Sequence, residues 1–389
     1  MRFEEYLLED VLDIKYGKNQ KKVKDDNGPY PILGTGGLMG YATEYLYDKP
    51  SVLIGRKGSI SKVRYIDEPF WTVDTLFYTI VNEEIVYPKF IYYYLSQIDF
   101  NYYNEGTTIP SLRTQTLNQI ILNLPDLKYQ AKILKMVNPI EERIELNNSI
   151  ISNLEELAQT LFKRWFVDFE FPNEEGKPYK SSGGKMVESE LGMIPEGWSQ
   201  GVLKDITLNF DRKRVPLSKL EREKRDKIYP YYGASSLMDY VDDYIFDGIY
   251  VLVGEDGTVI DDKGYPILQY VWGKLWVNNH AHVLQGKNKF TTEFIYLLLK
   301  RTNVSNIVTG AVQPKINQTN LNKIAVIIPN EIVLDQFNEI IDSVFTKVRK
   351  IKDENDSLKK LRDTLLPKLL SGEIKLLDDM EVTDDVPIS

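Results

Sequence analysis

Cysteine is absent from this chain, and histidine occurs only twice, at His280 and His282. Without thiols there is no disulfide, no thiolate nucleophile and no cysteine-ligated zinc or iron–sulfur centre. Two histidines exclude a His-rich metal site, and a Ser-His-Asp arrangement would have to use one of them. No run of about 18 apolar residues occurs, so no membrane-spanning segment is expected. The opening residues Met1-Arg2-Phe3-Glu4-Glu5 carry no apolar signal region, and a reducing, cytoplasmic setting is the expectation. A net basic charge is missing too: 48 basic against 57 acidic side chains leave −9. That speaks against a uniform basic coat for nucleic acid and leaves room for local basic surfaces. With 42% hydrophobic residues over 389 positions, packed cores in two or three domains are expected.

What is present is a repeat. Tyr30-Pro31, Gly34, Leu38-Met39 and Tyr41 return as Tyr229-Pro230, Gly233, Leu237-Met238 and Tyr240. Val52-Leu53-Ile54-Gly55-Arg56-Lys57-Gly58-Ser59 returns as Val251-Leu252-Val253-Gly254-Glu255-Asp256-Gly257-Thr258. Phe90-Ile91-Tyr92, Gly106, Pro110, Leu117, Ile120 and Pro125 match Phe294-Ile295-Tyr296, Gly310, Pro314, Leu321, Ile324 and Pro329 in the same order. Ordered matches at a nearly constant lag mean duplication. Each repeat opens with a mixed module. Apolar or alternating runs at 51–54, 76–81, 250–253 and 324–328 predict strands, and 87–97 and 291–300 predict helices. The boundaries read as module 1–126, helix 127–172, linker 173–195 (rich in Gly, Ser, Lys and Glu), module 196–329, helix 330–371 and acidic tail 372–389, a frayed and solvated end.

The two helices carry heptads. Ile133, Val137, Ile140, Ile144, Asn147, Ile151, Leu154, Ala158, Leu161 and Trp165 alternate in steps of four and three, as do Leu334, Phe337, Ile341, Val344, Val348, Ile351, Asn355, Leu358, Arg362, Leu365 and Leu369. Such seams need a mate. Placing Asn147 opposite Asn355 in antiparallel sense brings Ile151 to Ile351, Leu154 to Val348 and Trp165 to Phe337. A buried Asn pair penalises any slip in register. Pro139 is expected to kink the first helix or start it near Ile140. The fold class is therefore α+β: two similar mixed α/β domains, related by a pseudo-two-fold repeat and separated by two long helices in an antiparallel coiled coil.

Charge is local. Lys15, Lys18, Lys21, Lys22 and Lys24 precede the first Tyr-Pro landmark; Arg212, Lys213, Arg214, Lys219, Arg222, Lys224, Arg225 and Lys227 precede the second. Equivalent basic segments on duplicated modules suit phosphate contacts. Arg56, Lys57 and Ser59 stand where Glu255, Asp256 and Thr258 stand in the second copy, so the two turns would read different base edges. A tight turn after a buried strand explains the same glycines equally well. The loops at 106–110 and 310–315 and the residues just after them add Thr107, Thr108, Arg113, Gln313, Lys315 and Asn317 as DNA-contact candidates. His280 and His282 alternate as on a strand and read as core or surface residues rather than catalytic ones.

At this point the chain resembles the specificity subunit of type I restriction–modification systems. The resemblance rests on G-A-V-Q-P-K-I at 310–316 with Leu321 and 324–329, Ile194-Pro195-Glu196-Gly197-Trp198, L-E-E-L-A-Q-T-L-F-K-R-W-F at 154–166, and L-R-D-T-L-L-P-K-L-L-S-G-E-I at 361–374. It implies two target-recognition domains, each reading half of a bipartite, asymmetric site in double-stranded DNA. It also implies helices that set the unread gap and dock two modification (methyltransferase) subunits, with restriction (translocase and nuclease) subunits joining. No cofactor is expected in this chain; S-adenosylmethionine belongs on the modification subunit, which methylates adenine.

The residues themselves offer no catalysis. Asn138-Pro139-Ile140 is not the Asn/Asp-Pro-Pro-aromatic motif of adenine methyltransferases, Gly34-Thr35-Gly36-Gly37 reads as a turn, and no phosphate-loop lysine motif occurs. A protein-binding scaffold and a fragment of a fused restriction-methylation enzyme are the alternatives. The heptad register predicts that one heptad inserted in each helix, in phase, lengthens the unread gap by about 10 Å, or about three base pairs. Methylation mapping of that variant checks it, and an unchanged gap refutes the ruler.

Overall fold

The computed structural model describes residues 2–310 and 313–376. Ala311 and Val312 of the resemblance motif, and the acidic tail beyond Leu376, lie outside the described residues. The chain divides into two compact units, one reaching from the N-terminus to Leu146 and resuming at Asn355, the other spanning Asn147–Glu354.

In the first unit, Phe3–Leu7 pairs antiparallel with Ile121–Pro125. An antiparallel sheet runs in the order Leu12–Tyr16, Leu76–Val81, Ser51–Gly55, Val63–Ile66. Ser51–Gly55 has a neighbour on each side and is buried along its length, as its unbroken apolar run requires. A second sheet centres on Tyr30–Gly34, between antiparallel Gly37–Ala42 and parallel Trp71–Thr72. The helix Pro88–Leu95 opens with proline at its first position, where no amide donor is needed, and buries Phe90, Ile91, Tyr93 and Leu95.

The second unit repeats this plan strand by strand. Ser199–Val202 pairs with Ala325–Ile328. One sheet has the order Thr207–Asn209, Ala281–Gly286, Phe246–Gly254, Leu268–Val277, Tyr229–Tyr232, Leu237–Val241. Its long strand Leu268–Val277 pairs antiparallel with Phe246–Gly254 and parallel with Tyr229–Tyr232. In the first unit those two roles are divided between Val63–Ile66 and Trp71–Thr72. The parallel register is the same, Tyr231 to Trp276 here and Ile32 to Trp71 there.

Two helices of 40 residues, Leu127–Phe166 and Glu331–Leu370, pass through the division between the units. Inside the first unit, Ile133, Leu134 and Val137 share a core with Leu366, Leu369 and Leu370, and Glu141 pairs with Arg362 at 2.9 Å. Inside the second, Ile151 clusters with Val348 and Ile351, and Leu154 packs on that cluster. Trp165 lies 5.5 Å from Phe337, and Glu155 pairs with Lys352 at 2.9 Å. In each unit the partner's numbers fall as the helix's own rise, so the packing is antiparallel, in the heptad register. Asn147 and Asn355 are both buried.

Three expectations change. Pro139 does not start the first helix near Ile140: the helix begins at Leu127 and continues through the proline. Pro139 is exposed, so its ring lies on the outer side of the helix rather than against the core. The stretch 173–195 is not a featureless linker: it holds the hairpin Met186–Ser189 with Gly192–Pro195, and Ile194 joins the core of the second unit. Phe171 stacks on Tyr179 and Trp198 at 4.6 and 5.0 Å, which anchors both ends of the stretch. The start of the tail is docked as well. The Tyr129 hydroxyl donates to the Ile374 carbonyl at 3.1 Å and accepts from the Leu376 amide at 3.2 Å.

Phe337 is fully buried among Phe162, Trp165, Phe166 and Phe294. Phe337→Ala should cost about 3–5 kcal/mol, and Leu361→Ala, at an exposed position, less than about 0.5 kcal/mol. Urea unfolding of the two variants measures the contrast.

Candidate nucleic-acid interface

Three loops meet in each unit, held by the same backbone bonds. In the first, the buried strand Ser51–Gly55 ends in the turn at 56–59. There Gly58 (φ +85°) donates its N–H to the Pro110 carbonyl at 2.9 Å, Lys57 bridges Ser111, and the Leu112 amide donates to the Arg56 carbonyl at 2.9 Å. In the second, Gly257 (φ +85°) donates to the Pro314 carbonyl at 3.1 Å, Asp256 bridges Lys315, and the Ile316 amide donates to the Glu255 carbonyl at 2.9 Å. The left-handed φ makes glycine the residue that turns there without strain. The Tyr-Pro hairpin supplies the third loop: Thr35 borders Gly58, and the Ala234 carbonyl borders Gly254. The amides of Arg56 and Glu255 donate to the carbonyls of Thr75 and His280, both at 2.8 Å, so Thr75 and His280 occupy equivalent places.

Most of the candidate side chains on these frames face water. Lys57, Ser59, Thr107 and Thr108 are exposed in the first unit, with Lys18, Lys21 and Lys22 on the neighbouring stretch. Arg113 is exposed and pairs with Glu105 at 3.0 Å. Arg56 lies over the Tyr16 ring at 5.0 Å and donates to the Asp74 carbonyl, a geometry that holds its guanidinium in place. Lys15 is on a strand rather than a loop, paired with Asp13 at 2.6 Å. In the second unit Arg212, Lys213, Thr258, Gln313 and Lys315 are exposed.

Other candidates are consumed by the fold. Arg214 points inward, giving hydrogen bonds to Glu255 at 2.6 Å and to the Ala281 carbonyl at 2.7 Å. Glu255 also pairs with Lys315 at 3.2 Å. His282 is buried, with Nδ1 at 2.6 Å from Asp211 and Nε2 at 2.8 Å from the Ile316 carbonyl. Asp211, Glu255 and His282 converge as a cation-binding set would, and the Arg214 guanidinium is the cation they hold. Burial by itself would raise the Asp211 carboxyl, but hydrogen bonding and attraction from His282, with the Val283 amide, outweigh it and hold Asp211 below its ordinary value. Glu255 is likewise held down against burial, by Arg214, His282 and Lys315. Arg214 and Glu255, both expected to face DNA, are instead largely covered and spent on each other within the fold. Asn317 caps a short helix through the Asn320 amide. Asp256 bonds Nδ1 of His280 at 2.5 Å. Arg222 and Lys227 pair with Asp239, and Arg225 with Asp242.

Two features carry more in the structure than their sequence pattern suggests. His280 is half exposed at the frame of the second unit, paired with a residue 24 positions away; only its neighbours Asn278-Asn279 hinted at a turn. Leu38, Met39 and Tyr41, with Leu237, Met238 and Tyr240, are exposed on equivalent edge strands. In the sequence they stand out only as landmarks of the repeat.

The same loop frame built twice with different side chains defines a duplicated recognition protein. The family model described as the type I restriction modification DNA specificity domain matches residues 2–156 and 195–360, one match per repeat, and the chain belongs to that family. It is 24% identical to the HindI specificity subunit of Haemophilus influenzae over 384 residues (78% of this chain, 81% of the relative). It is also 24% identical to the MjaIX specificity subunit of Methanocaldococcus jannaschii over 357 residues (85% and 79%). A crystal structure of a type I system S subunit from M. genitalium shares the fold at TM-score 0.57 and 19% identity, covering 95% of this chain and 96% of that one. As a member of this family the chain has a DNA-sequence-recognition role in a type I restriction–modification complex and is its non-catalytic specificity subunit. Among the described residues, no helix is long and apolar enough to cross a membrane.

Arg214→Met should strip Glu255 of its main partner and cost about 3–5 kcal/mol, while Arg212→Ala and Lys213→Ala should stay within about 0.5 kcal/mol; denaturant unfolding separates them. Because Asp211 and Glu255 ionise more readily folded than unfolded, the stability they contribute is present above the unfolded carboxylate range and is lost as pH falls through the folded values. Melting temperature should therefore drop with acidification below about pH 4.5, and Asp211→Asn should flatten that drop.

Proposed function

We propose that each unit reads one half of a bipartite, asymmetric site in double-stranded DNA from its three-loop frame, in the cytoplasm. The observation that carries this is the repeated backbone frame with exchanged chemistry: Lys57 and Thr75 in one copy, Asp256 and His280 in the other, on equivalent hydrogen bonds. A constant scaffold with variable side chains is what two different half-sites require of duplicated readers.

In this reading Lys18, Lys21, Lys22, Arg212 and Lys213 hold phosphates. Arg56, Lys57, Ser59, Thr107, Thr108 and Arg113 face bases or backbone in one half, and Thr258, Gln313 and Lys315 do so in the other. The exposure of most of these side chains supports it. The paired long helices space the half-sites and dock two modification subunits, which bring S-adenosylmethionine. The absence of net positive charge over the chain fits a subunit that binds DNA firmly only in the assembled complex.

Replacing residues 1–126 with the corresponding module of another family member, in cells carrying the modification subunits, should change one half of the methylated sequence and leave the other intact. Methylome sequencing reads the result. Change in both halves, or in neither, overturns the assignment of one unit to one half-site.

A further inference from the structure

We infer that His280, oriented by Asp256, reads a base in the half-site of the second unit by accepting a hydrogen bond from an exocyclic amino group. This rests on the reading of the three-loop frames as the DNA-facing surface. It adds a residue and a chemistry which that reading does not contain.

The His280 carbonyl accepts from the Glu255 amide at 2.8 Å, as the Thr75 carbonyl does from Arg56, so the residue is built into the frame. Its ring is half exposed, and Nδ1 lies 2.5 Å from the Asp256 carboxylate. Asp256 is itself fixed, by its bridge to Lys315 and by the bond from Gly257 to Pro314. An ionised carboxylate only accepts, so the shared proton sits on Nδ1. In the neutral ring Nε2 then carries a lone pair. Among the described residues no protein group bonds Nε2. An acceptor held at fixed height on a reading surface selects the amino groups of cytosine N4 or adenine N6 in the major groove and rejects the carbonyl oxygens of guanine and thymine. In the first unit Thr75 and Lys57 occupy the equivalent places, and the lysine is a donor only. The imidazole acceptor and the carboxylate that orients it therefore belong to the second frame alone.

His280 is the specificity residue in this scheme, and Asp256 is a positioning residue that fixes the tautomer. The test uses the assembled modification complex, with methylome sequencing of cells carrying the wild type, His280→Ala, His280→Gln, Asp256→Asn and the double variant Asp256→Asn/His280→Ala. His280→Ala should relax discrimination roughly 10- to 100-fold at a single base position, within the half-site that survives the exchange of residues 1–126. His280→Gln, which keeps an acceptor oxygen, should retain part of the preference. Asp256→Asn, which no longer imposes one tautomer, should loosen the same position less than His280→Ala does, and the double variant should match His280→Ala. Unchanged sequence preference, a uniform loss of methylation with the preference intact, or relaxation in the other half-site would each overturn the inference. If the wild-type complex shows no defined bipartite site, the underlying reading fails instead, which the wild-type control reveals by itself.

Discussion

Two 40-residue helices with apolar seams must cover those seams, and the way they do so organises the molecule. A heptad stripe left in water would expose a long apolar surface, so each helix segment takes the facing segment of the other as its mate. Each compact unit thereby combines a module with a stretch of both helices. The core that holds Phe90 and Leu117 also holds Leu366 and Leu369, contributed from the far end of the chain. The first unit is therefore complete only when the last helix is present, although its module is entirely N-terminal.

The loop frames depend on a smaller constraint of the same kind. A glycine in the left-handed region lets the chain reverse directly after a buried strand, and its amide is spent on a proline carbonyl from a loop more than 50 residues further on in each unit. Backbone bonds of this sort do not depend on side-chain identity. The frame stays the same while its side chains differ, as they do between Lys57 and Asp256. A recognition module can change what it reads without changing how it folds, because the bonds that build the surface are not those that would touch DNA.

Much of this was legible in the residues. Duplication followed from ordered landmarks, because glycines and prolines mark turns wherever they recur. The antiparallel register followed from one Asn in each seam, and Ile151 with Ile351 and Trp165 with Phe337 are found as that register requires. Charge was legible only in bulk. Arg212 and Arg214 stand two apart in one basic run, yet a turn of 3-10 helix over Asp211–Lys213 leaves the first exposed and sends the second into the carboxylates. Nothing in the local sequence separates them. Lys15 sits on a strand beside Asp13 and Asn317 caps a helix, pairings that the basic run and the loop did not foretell.

The chain by itself determines its repeat, its heptad seams and where its turns fall, because these depend on spacing and on residues whose backbone limits are intrinsic. The tertiary structure alone decides which charges are spent internally and which remain for a partner. It brings Asp256 to His280 and Arg214 to Glu255 across sheet and loop. Partnership between distant groups is set by the three-dimensional approach of strands, and no pattern along one dimension encodes that distance.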